Sequence, residues 1–323
     1  MPAYVVAVDA GQTGVRVRIQ PQPQDPAQWG VESGPSAAPE QTALTEYPGV
    51  RTTEPLSTQL AERIRAAATS ADVDLSETEV SIGTSGVADS PALASALRQD
   101  LGAPGTGPTA LHVAHDSITS YVGALGDHQG VVVAAGTGSI ILGVGARDTA
   151  RVDGWGYLIG DDGSGFSIGA RGWRAVMRDH DGRGPATALT EDFRRDIEDL
   201  ESAYVVLQSD PDRVRRIASY SRRVTALAAT DSVARGIAEW AGAELAHSVL
   251  TAAHQVGLHG TVTVARLGRV LTDPTVSAAF QSAVEAGLPG AVVVDPNGSG
   301  LDGAALLGRV AEGSALAGDI AHA

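Results

Sequence analysis

The 323-residue chain contains no cysteine and no lysine. The first absence excludes disulfides, thiol nucleophiles, cysteine-ligated zinc and cysteine-held iron–sulfur clusters. The second leaves arginine as the whole of the 23-residue basic complement. Schiff-base chemistry and the lysine of a Walker A loop are therefore excluded. Aromatic residues are only 4% of the chain, so the core must rest on Val, Leu, Ile and Ala. Positive charge is scarce, with a formal net charge of -15. Such a surface repels phosphate backbones and anionic lipids, so neither a nucleic acid nor a membrane is expected as partner. It does not oppose a small anion held by backbone N–H groups. No apolar run is long enough to span a bilayer. Met1-Pro2-Ala3 runs straight into a strand-like stretch with no basic, apolar leader, which predicts a cytoplasmic protein.

Hydrophobic residues make up 43% and charged residues 19%, enough to bury a core across two domains. Tyr4 to Asp9 is a short apolar strand; Gly11-Gln12-Thr13-Gly14 turns; Val15, Val17 and Ile19 then alternate with arginines. This is a β-hairpin. Pro21 to Pro39 reads as a loop or a frayed strand. Helical spacing follows over Leu56–Ala71, a strand over Glu79–Gly83, a helix from Ser90-Pro91, a strand over His112–Asp116 and a helix over Ser117–Leu125. A second hairpin repeats the first: Gly130 to Ala135, a turn at Gly136-Thr137-Gly138, then Ser139 to Val144. Two copies of one unit predict two related α/β halves facing a shared cleft. Gly154 to Gly172 is dense in glycine. Trp173 to about Gly257 is helical, and its arginines (among them Arg194, Arg195, Arg213, Arg215, Arg216, Arg222 and Arg223) read as a solvated surface paired with carboxylates. Strands at Thr261–Ala265 and Ala291–Asp295 and a helix over about 302–311 close the chain.

Four segments carry possible chemistry. In Asp9-Ala10-Gly11-Gln12-Thr13-Gly14, glycines let backbone N–H groups approach phosphate oxygens, Thr13 adds a hydroxyl, and Asp9 can hold magnesium through water. Taken singly, the motif reads first as a tight hairpin whose Asp9 bonds its own turn. Gly136-Thr137-Gly138-Ser139 has the same chemistry and the same ambiguity. Together the two supply a clamp for phosphoryl transfer, which needs positioning more than covalent help. Asp116 follows an apolar strand and is placed either as a proton acceptor for a sugar hydroxyl or as a helix N-cap. His115 beside it reads as structural. Gly154 to Gly169 joins Trp155 to Asp161 and Asp162. An aromatic face beside carboxylates is how sugars are held, and a plain flexible loop has no use for Trp155, Phe166 and Ile168. The remaining histidines show no metal-ligand spacing.

Read in order, these motifs resemble the N-acetylglucosamine kinase / BadF/BadG/BcrA/BcrD-type ATPase family, within the sugar kinase–actin–Hsp70 superfamily. The likeness runs through DAGQTG, TSGVA (Thr84 to Ala88), AHDSITSYVGAL (Ala114 to Leu125), GTGS, GWGYLIGDDGSGFSIG, GRGPATALT (Gly182 to Thr190) and GAALLG (Gly303 to Gly308). The resemblance implies an α/β fold of two ribonuclease-H-like, actin-like ATPase domains around a central nucleotide and sugar cleft. Their expected extents are residues 1–115 and 116–323, the last helix from about 302 packing back on the first domain. It implies ATP and Mg2+ as cofactors, an amino sugar as substrate, and a homodimer. Asp116 is then the general base toward the 6-hydroxyl. Asp9, Gly11, Gln12, Thr13, Gly136, Thr137, Gly138 and Ser139 bind the ATP phosphates. Ser139, Gly154, Trp155, Gly156 and Asp161 contact the sugar; Gly268 and Arg269 contact adenosine; Asp9 holds magnesium through water.

Three departures fall on ligand contacts. The loop after the first hairpin, Glu32 to Ala37, lacks the family's Asn. Gly14 stands where a basic residue often follows the first-hairpin Thr. The adenosine loop, Ala265-Arg266-Leu267-Gly268-Arg269, has one glycine instead of a pair, so an arginine there either stacks on adenine or crowds it out. The expected activity is ATP-dependent phosphorylation of N-acetylglucosamine or glucosamine. The departures motivate an alternative, a catalytically weak sugar- or nucleotide-binding regulator of the same fold. A dehydratase-activating ATPase and a zinc-stabilised repressor are excluded by the missing cysteines.

Overall fold

A computed structural model describes residues 2–11, 14–22, 43–51, 54–87 and 89–323. Gln12, Thr13, Ala88, the Glu32–Ala37 stretch and most of the Pro21–Pro39 loop lie outside them. The chain forms two compact units: residues 1–129, 146–149 and 296–323 make the first, and 130–145 and 150–295 the second.

The first unit is built on strands β1 (Tyr4–Ala10), β2 (Val15–Pro21), β3 (Ala43–Tyr47), β4 (Thr78–Thr84) and β5 (Ala110–His115), with helices α1 (Leu56–Ser70), α2 (Ser90–Leu101) and α3 (Asp116–Leu125). The pairs β1–β2 and β2–β3 are antiparallel; β1–β4 and β4–β5 are parallel. Strand β1 is buried on both faces, and the two-residue period divides its side chains. Val6 and Val8 join a core with Leu60 and Ile64 of α1 and Leu97 of α2. Val5 and Ala7 pack on the other side against Leu301 and Ala304.

The second unit repeats the plan with β6 (Gly130–Ala135), β7 (Ser139–Val144), β8 (Thr149–Asp153), α4 (Gly165–His180), the short helices α5 (Ala188–Arg194), α6 (Ala203–Ser209), α7 (Arg213–Ser219) and α8 (Ser221–Leu227), then α9 (Ser232–Gln255), β9 (Thr263–Leu267), α10 (Pro274–Gly287) and β10 (Val292–Val294). Its core packs Val131 and Val133 against Ala241, Leu245 and Val249 of α9. The chain then returns to the first unit as α11 (Gly300–Ala304) and β11 (Ile320–His322).

The sheet orders are β11-β5-β4-β1-β2-β3 and β10-β9-β6-β7-β8. Apart from the added β11, the strand order is the same in both: a hairpin and its outer strand on one side of the first strand, two further strands on the other. The paired hairpins predict two related halves, and these are the two ribonuclease-H-like sheets that the family resemblance implies.

The first unit extends past the boundary drawn after residue 115. Strand β5 runs without a break into α3, and α3 packs on β4, β5 and α11. The glycine-dense stretch is also more ordered than its composition suggests, because α4 begins at Gly165 with Ser164 as its N-cap. The glycines on α4 serve close approach to neighbouring backbone: a Cβ on Gly165 would stand 2.9 Å from the Gly136 carbonyl oxygen, and one on Gly169 would collide with that of Ile217.

Candidate active site

In the first unit, the parallel strands β1, β4 and β5 end on one edge of the sheet. Asp9 is in register with Gly83, and Gly83 with Ala114. Asp9 and Asp116 therefore emerge at the carboxyl ends of the strands, where open α/β sheets bind their ligands. Asp9 forms an ion pair with Arg16, its cross-strand partner on β2. Arg16 is the first basic residue after position 14, and its guanidinium is taken up by Asp9 across the hairpin. The N–H of Gly11 donates to the carbonyl of Gly14 at 2.9 Å and closes the turn.

The sequence left Asp116 open as base or as N-cap. The capping group is His115, whose Nδ1 accepts from the Ser117 N–H at 3.2 Å. The carboxylate of Asp116 is therefore not spent on the helix start, and its side chain is 35% exposed. Helix α3 is held by backbone contact with α11. A Cβ on Gly303 would collide with the Thr119 carbonyl, and one on Gly123 with that of Ser299. The closing GAALLG segment thus places the helix that carries Asp116.

In the second unit, the Gly136-Thr137-Gly138 turn closes with the Gly136 N–H donating to the Gly138 carbonyl at 2.8 Å. Gly136 and Thr137 are exposed. The turn is fixed to the start of α4 by two further bonds: Gly165 N–H to the Gly136 carbonyl at 2.8 Å, and Phe166 N–H to that of Thr137 at 3.0 Å. Ser139 faces inward, nearly fully buried, and its hydroxyl donates to the Asp162 carbonyl at 3.0 Å.

Asp161 links this turn to the Trp155 loop. Its Oδ1 accepts from the Gly156 N–H at 3.1 Å, and its Oδ2 lies 2.6 Å from where a Cβ on Gly138 would stand. Burial pushes its carboxyl upward, and the Gly156 and Ser139 N–H groups pull against that shift. Asp161 adopts φ 60°, as does Asp153. Left-handed backbone at a non-glycine residue is held only where surroundings enforce it. Asp153 is the enforcing residue that sequence reading missed: its two carboxylate oxygens accept from the N–H groups of Asp161 (2.8 Å) and Asp162 (2.9 Å). A carboxylate at a strand end, eight and nine residues before the N–H groups that donate to it, leaves no local sequence signal. Trp155 is 59% exposed, with the Arg151 guanidinium 4.3 Å from its ring centroid. Trp155, Gly156, Asp161, Gly138 and Ser139 are thus gathered in one place, and Gly154 packs on Ile140 of β7.

Gly268 follows β9 with φ +87°, and its Cα side abuts the Ala135 carbonyl, so no side chain fits there. Arg269 lines a cavity of about 350 Å3 together with Gly136 and Thr137. Of the residues assigned to adenosine and to phosphate in this unit, Arg269, Gly136 and Thr137 therefore meet at one hollow, while Gly268, Gly138 and Ser139 do not line it. Arg266 does not join them; it binds Asp295 and the Ser277 hydroxyl, each at 3.0 Å. Arg195, Arg216 and Arg223 pair with carboxylates as the surface reading expected. Arg215 and Arg222 line the same cavity instead, a correction that follows from the turn between α7 and α8, which faces both toward the Gly136 hairpin.

No group of three or more His, Asp or Glu side chains able to hold a metal is found among the described residues. Asp9 keeps Oδ1 outside its Arg16 pair. A single carboxylate suits magnesium, which favours one or two carboxylates with waters and substrate phosphates over a protein cage.

The fold is that of a two-unit actin-like ATPase. The pattern of the BadF/BadG/BcrA/BcrD ATPase family matches residues 6–308, and the chain belongs to that family. It is 38% identical over 82 residues to the N-acetylmuramic acid/N-acetylglucosamine kinase of Clostridium acetobutylicum, covering 25% of this chain and 27% of that protein. It is 44% identical over 70 residues to the N-acetyl-D-glucosamine kinase of Dictyostelium discoideum, covering 21% of this chain and 22% of the relative. The matches thus span about a quarter of the length of these curated relatives. A solved structure from Chromobacterium violaceum, provisionally named an N-acetylglucosamine kinase, superposes with TM-score 0.68 at 24% identity, covering 95% of this chain and 99% of that one. A ROK hexokinase from Thermus thermophilus shares the fold at TM-score 0.53 and 14% identity, covering 94% and 97%. Among the described residues, no helix is long and apolar enough to cross a membrane.

Proposed function

We propose that this protein transfers the terminal phosphoryl group of ATP to the 6-hydroxyl of an amino sugar, N-acetylglucosamine or glucosamine. The observation that carries the reading is the uncapped carboxylate of Asp116 at the end of β5, in line along the strand ends with Asp9. Family membership and the names of the partial relatives support the same chemistry. Asp116 accepts the hydroxyl proton as the sugar oxygen attacks phosphorus; the new O–P bond forms while the bond to the bridging oxygen breaks, and ADP leaves. Exposed Thr137, in the turn that the Gly136 N–H closes, offers its own N–H and hydroxyl to phosphate oxygens. Trp155 offers its open face to the sugar ring, beside the buried Asp161. Asp9 would hold magnesium through water, and the ion would neutralise charge on the phosphates. The place of such a reaction is the cytoplasm, where the donor is.

A coupled ADP-release assay with Mg-ATP and a panel of N-acetylglucosamine, glucosamine, N-acetylmannosamine, N-acetylmuramic acid and glucose tests this. Turnover on an amino sugar that Asp116→Asn abolishes is the expected result; silence across the panel overturns it. A second reading, a catalytically weak binder of the same ligands, is favoured by the Asp9–Arg16 pair, since the guanidinium competes with a metal for Asp9. Steady turnover on any sugar removes it.

A further inference from the structure

The cavity beside the Gly136–Thr137 turn has an unusual charge. Three arginines line it, Arg215 from α7, Arg222 from α8 and Arg269 after β9, against one carboxylate, Asp273. Asp273 is already engaged: its Oδ1 accepts from the N–H groups of Thr275 (3.0 Å) and Val276 (3.2 Å) at the start of α10. The arginines beside them in sequence are satisfied, Arg216 by Asp196 and Asp210, Arg223 by Asp192. The guanidiniums of Arg215, Arg222 and Arg269 form no ion pair or hydrogen bond among the described residues. In a chain of net charge -15, three unpaired cations around one hollow run against the prevailing supply of carboxylates. Like charges so gathered repel one another unless an anion joins them. The forked guanidinium suits phosphate oxygens. Ser219, Ser221 and Thr225 complete the lining, but their hydroxyls already donate to the carbonyls of Arg216, Ala218 and Arg222, so the guanidiniums are the side-chain donors left for an anion. Apolar surface for a base is limited to Ile168, Ala218 and Val270.

We propose that Arg215 and Arg222, with Arg269, hold the phosphoryl donor by its anionic oxygens, so that the site selects a polyphosphate chain and discriminates weakly among nucleobases. This deepens the phosphotransferase reading above and rests on it for the word donor. It shifts Arg269 from adenosine recognition to charge recognition.

The test is calorimetry on the full chain without sugar, using the magnesium complexes of ATP, UTP and inorganic tripolyphosphate. Expected are ATP and UTP dissociation constants within about threefold of each other, and tripolyphosphate binding that displaces ATP. Arg215→Gln and Arg222→Gln should each weaken all three by about tenfold, the loss of one charge-assisted contact. Arg213→Gln, on the exposed side of α7, is the folded control and should bind as wild type. Failure of tripolyphosphate to bind while ATP does, wild-type affinity in the two cavity variants, or no binding by any of the three overturns the proposal. Binding as expected with no turnover on any sugar sinks the kinase reading alone. Strict ATP-dependent turnover unaffected by either variant sinks this inference alone.

Discussion

Nδ1 of His115 lies 2.9 Å from Oδ1 of Asp116 and 3.2 Å from the backbone nitrogen of Ser117. One ring nitrogen cannot serve both. Bare, it accepts the Ser117 N–H and caps α3; protonated, it donates to Asp116. The imidazole is thus a structural cap that also touches the proposed base.

Replacing Asp116 by Asn keeps the shape and removes the proton acceptor. A fall in kcat of about 10²–10⁴ is expected, with the KM for ATP little changed. His115→Asn keeps a capping acceptor and withdraws the ring, so its kcat should fall between the two. Steady-state kinetics on both variants checks this, and a near-wild-type Asp116→Asn removes the role given to the carboxylate.

Gly303 allows α11 to lie against the backbone of α3 at Thr119. Gly303→Ala forces the two apart. A stability loss of about 1–3 kcal/mol is expected in urea unfolding, the usual cost of overpacking. Because α3 carries Asp116, kcat should fall more than the KM for either substrate.

Asp153→Ala strands the N–H groups of Asp161 and Asp162 and releases the left-handed turn they hold. The KM for the amino sugar should rise by about tenfold or more, while ATP affinity measured without sugar stays as in wild type. Equal losses for both ligands would mean that Asp153 supports the whole unit rather than the Trp155 loop.

His112, on β5, faces Glu79 of β4 and His322 of β11, its Nδ1 2.7 Å from that of His322. Burial lowers its pKa; Glu79 opposes the shift and His322 adds to it. The unfolded chain therefore binds more protons than the folded one below about pH 6.5. This contribution to stability is complete above that value and is lost as pH falls through it toward the depressed folded pKa. The melting temperature should drop from pH 7 to pH 5, and His112→Gln should flatten that slope. An unchanged slope would assign the acid sensitivity elsewhere.

Features with a local cause were legible in the sequence. The alternation of Val15, Val17 and Ile19, the turn at Gly136–Gly138 and the Ser90-Pro91 helix start each rest on neighbours within a few residues. Strands β3 and β8 were not read, because each is a short edge strand completed by its partner rather than by its own pattern. The helical run after Trp173 read as continuous, but short helices α5 to α8 pack as separate pieces around Phe193 and Tyr220. In the candidate site, residues bearing a motif were found, and those acting through tertiary contact were not. Asp153, Arg16 as partner of Asp9, and the cavity face of Arg215 and Arg222 all belong to the second group.

The return of the chain to its first unit sets an order on synthesis. Residues 130–145 and 150–295 leave the ribosome before 296–323, which supply α11 and β11. The second unit can therefore close its core while the first still has an open β5 edge and an uncovered face of Val5 and Ala7. A nascent chain stalled near residue 295 would carry that exposed edge and face as a handle for chaperones, and α3 would have no α11 to lie against.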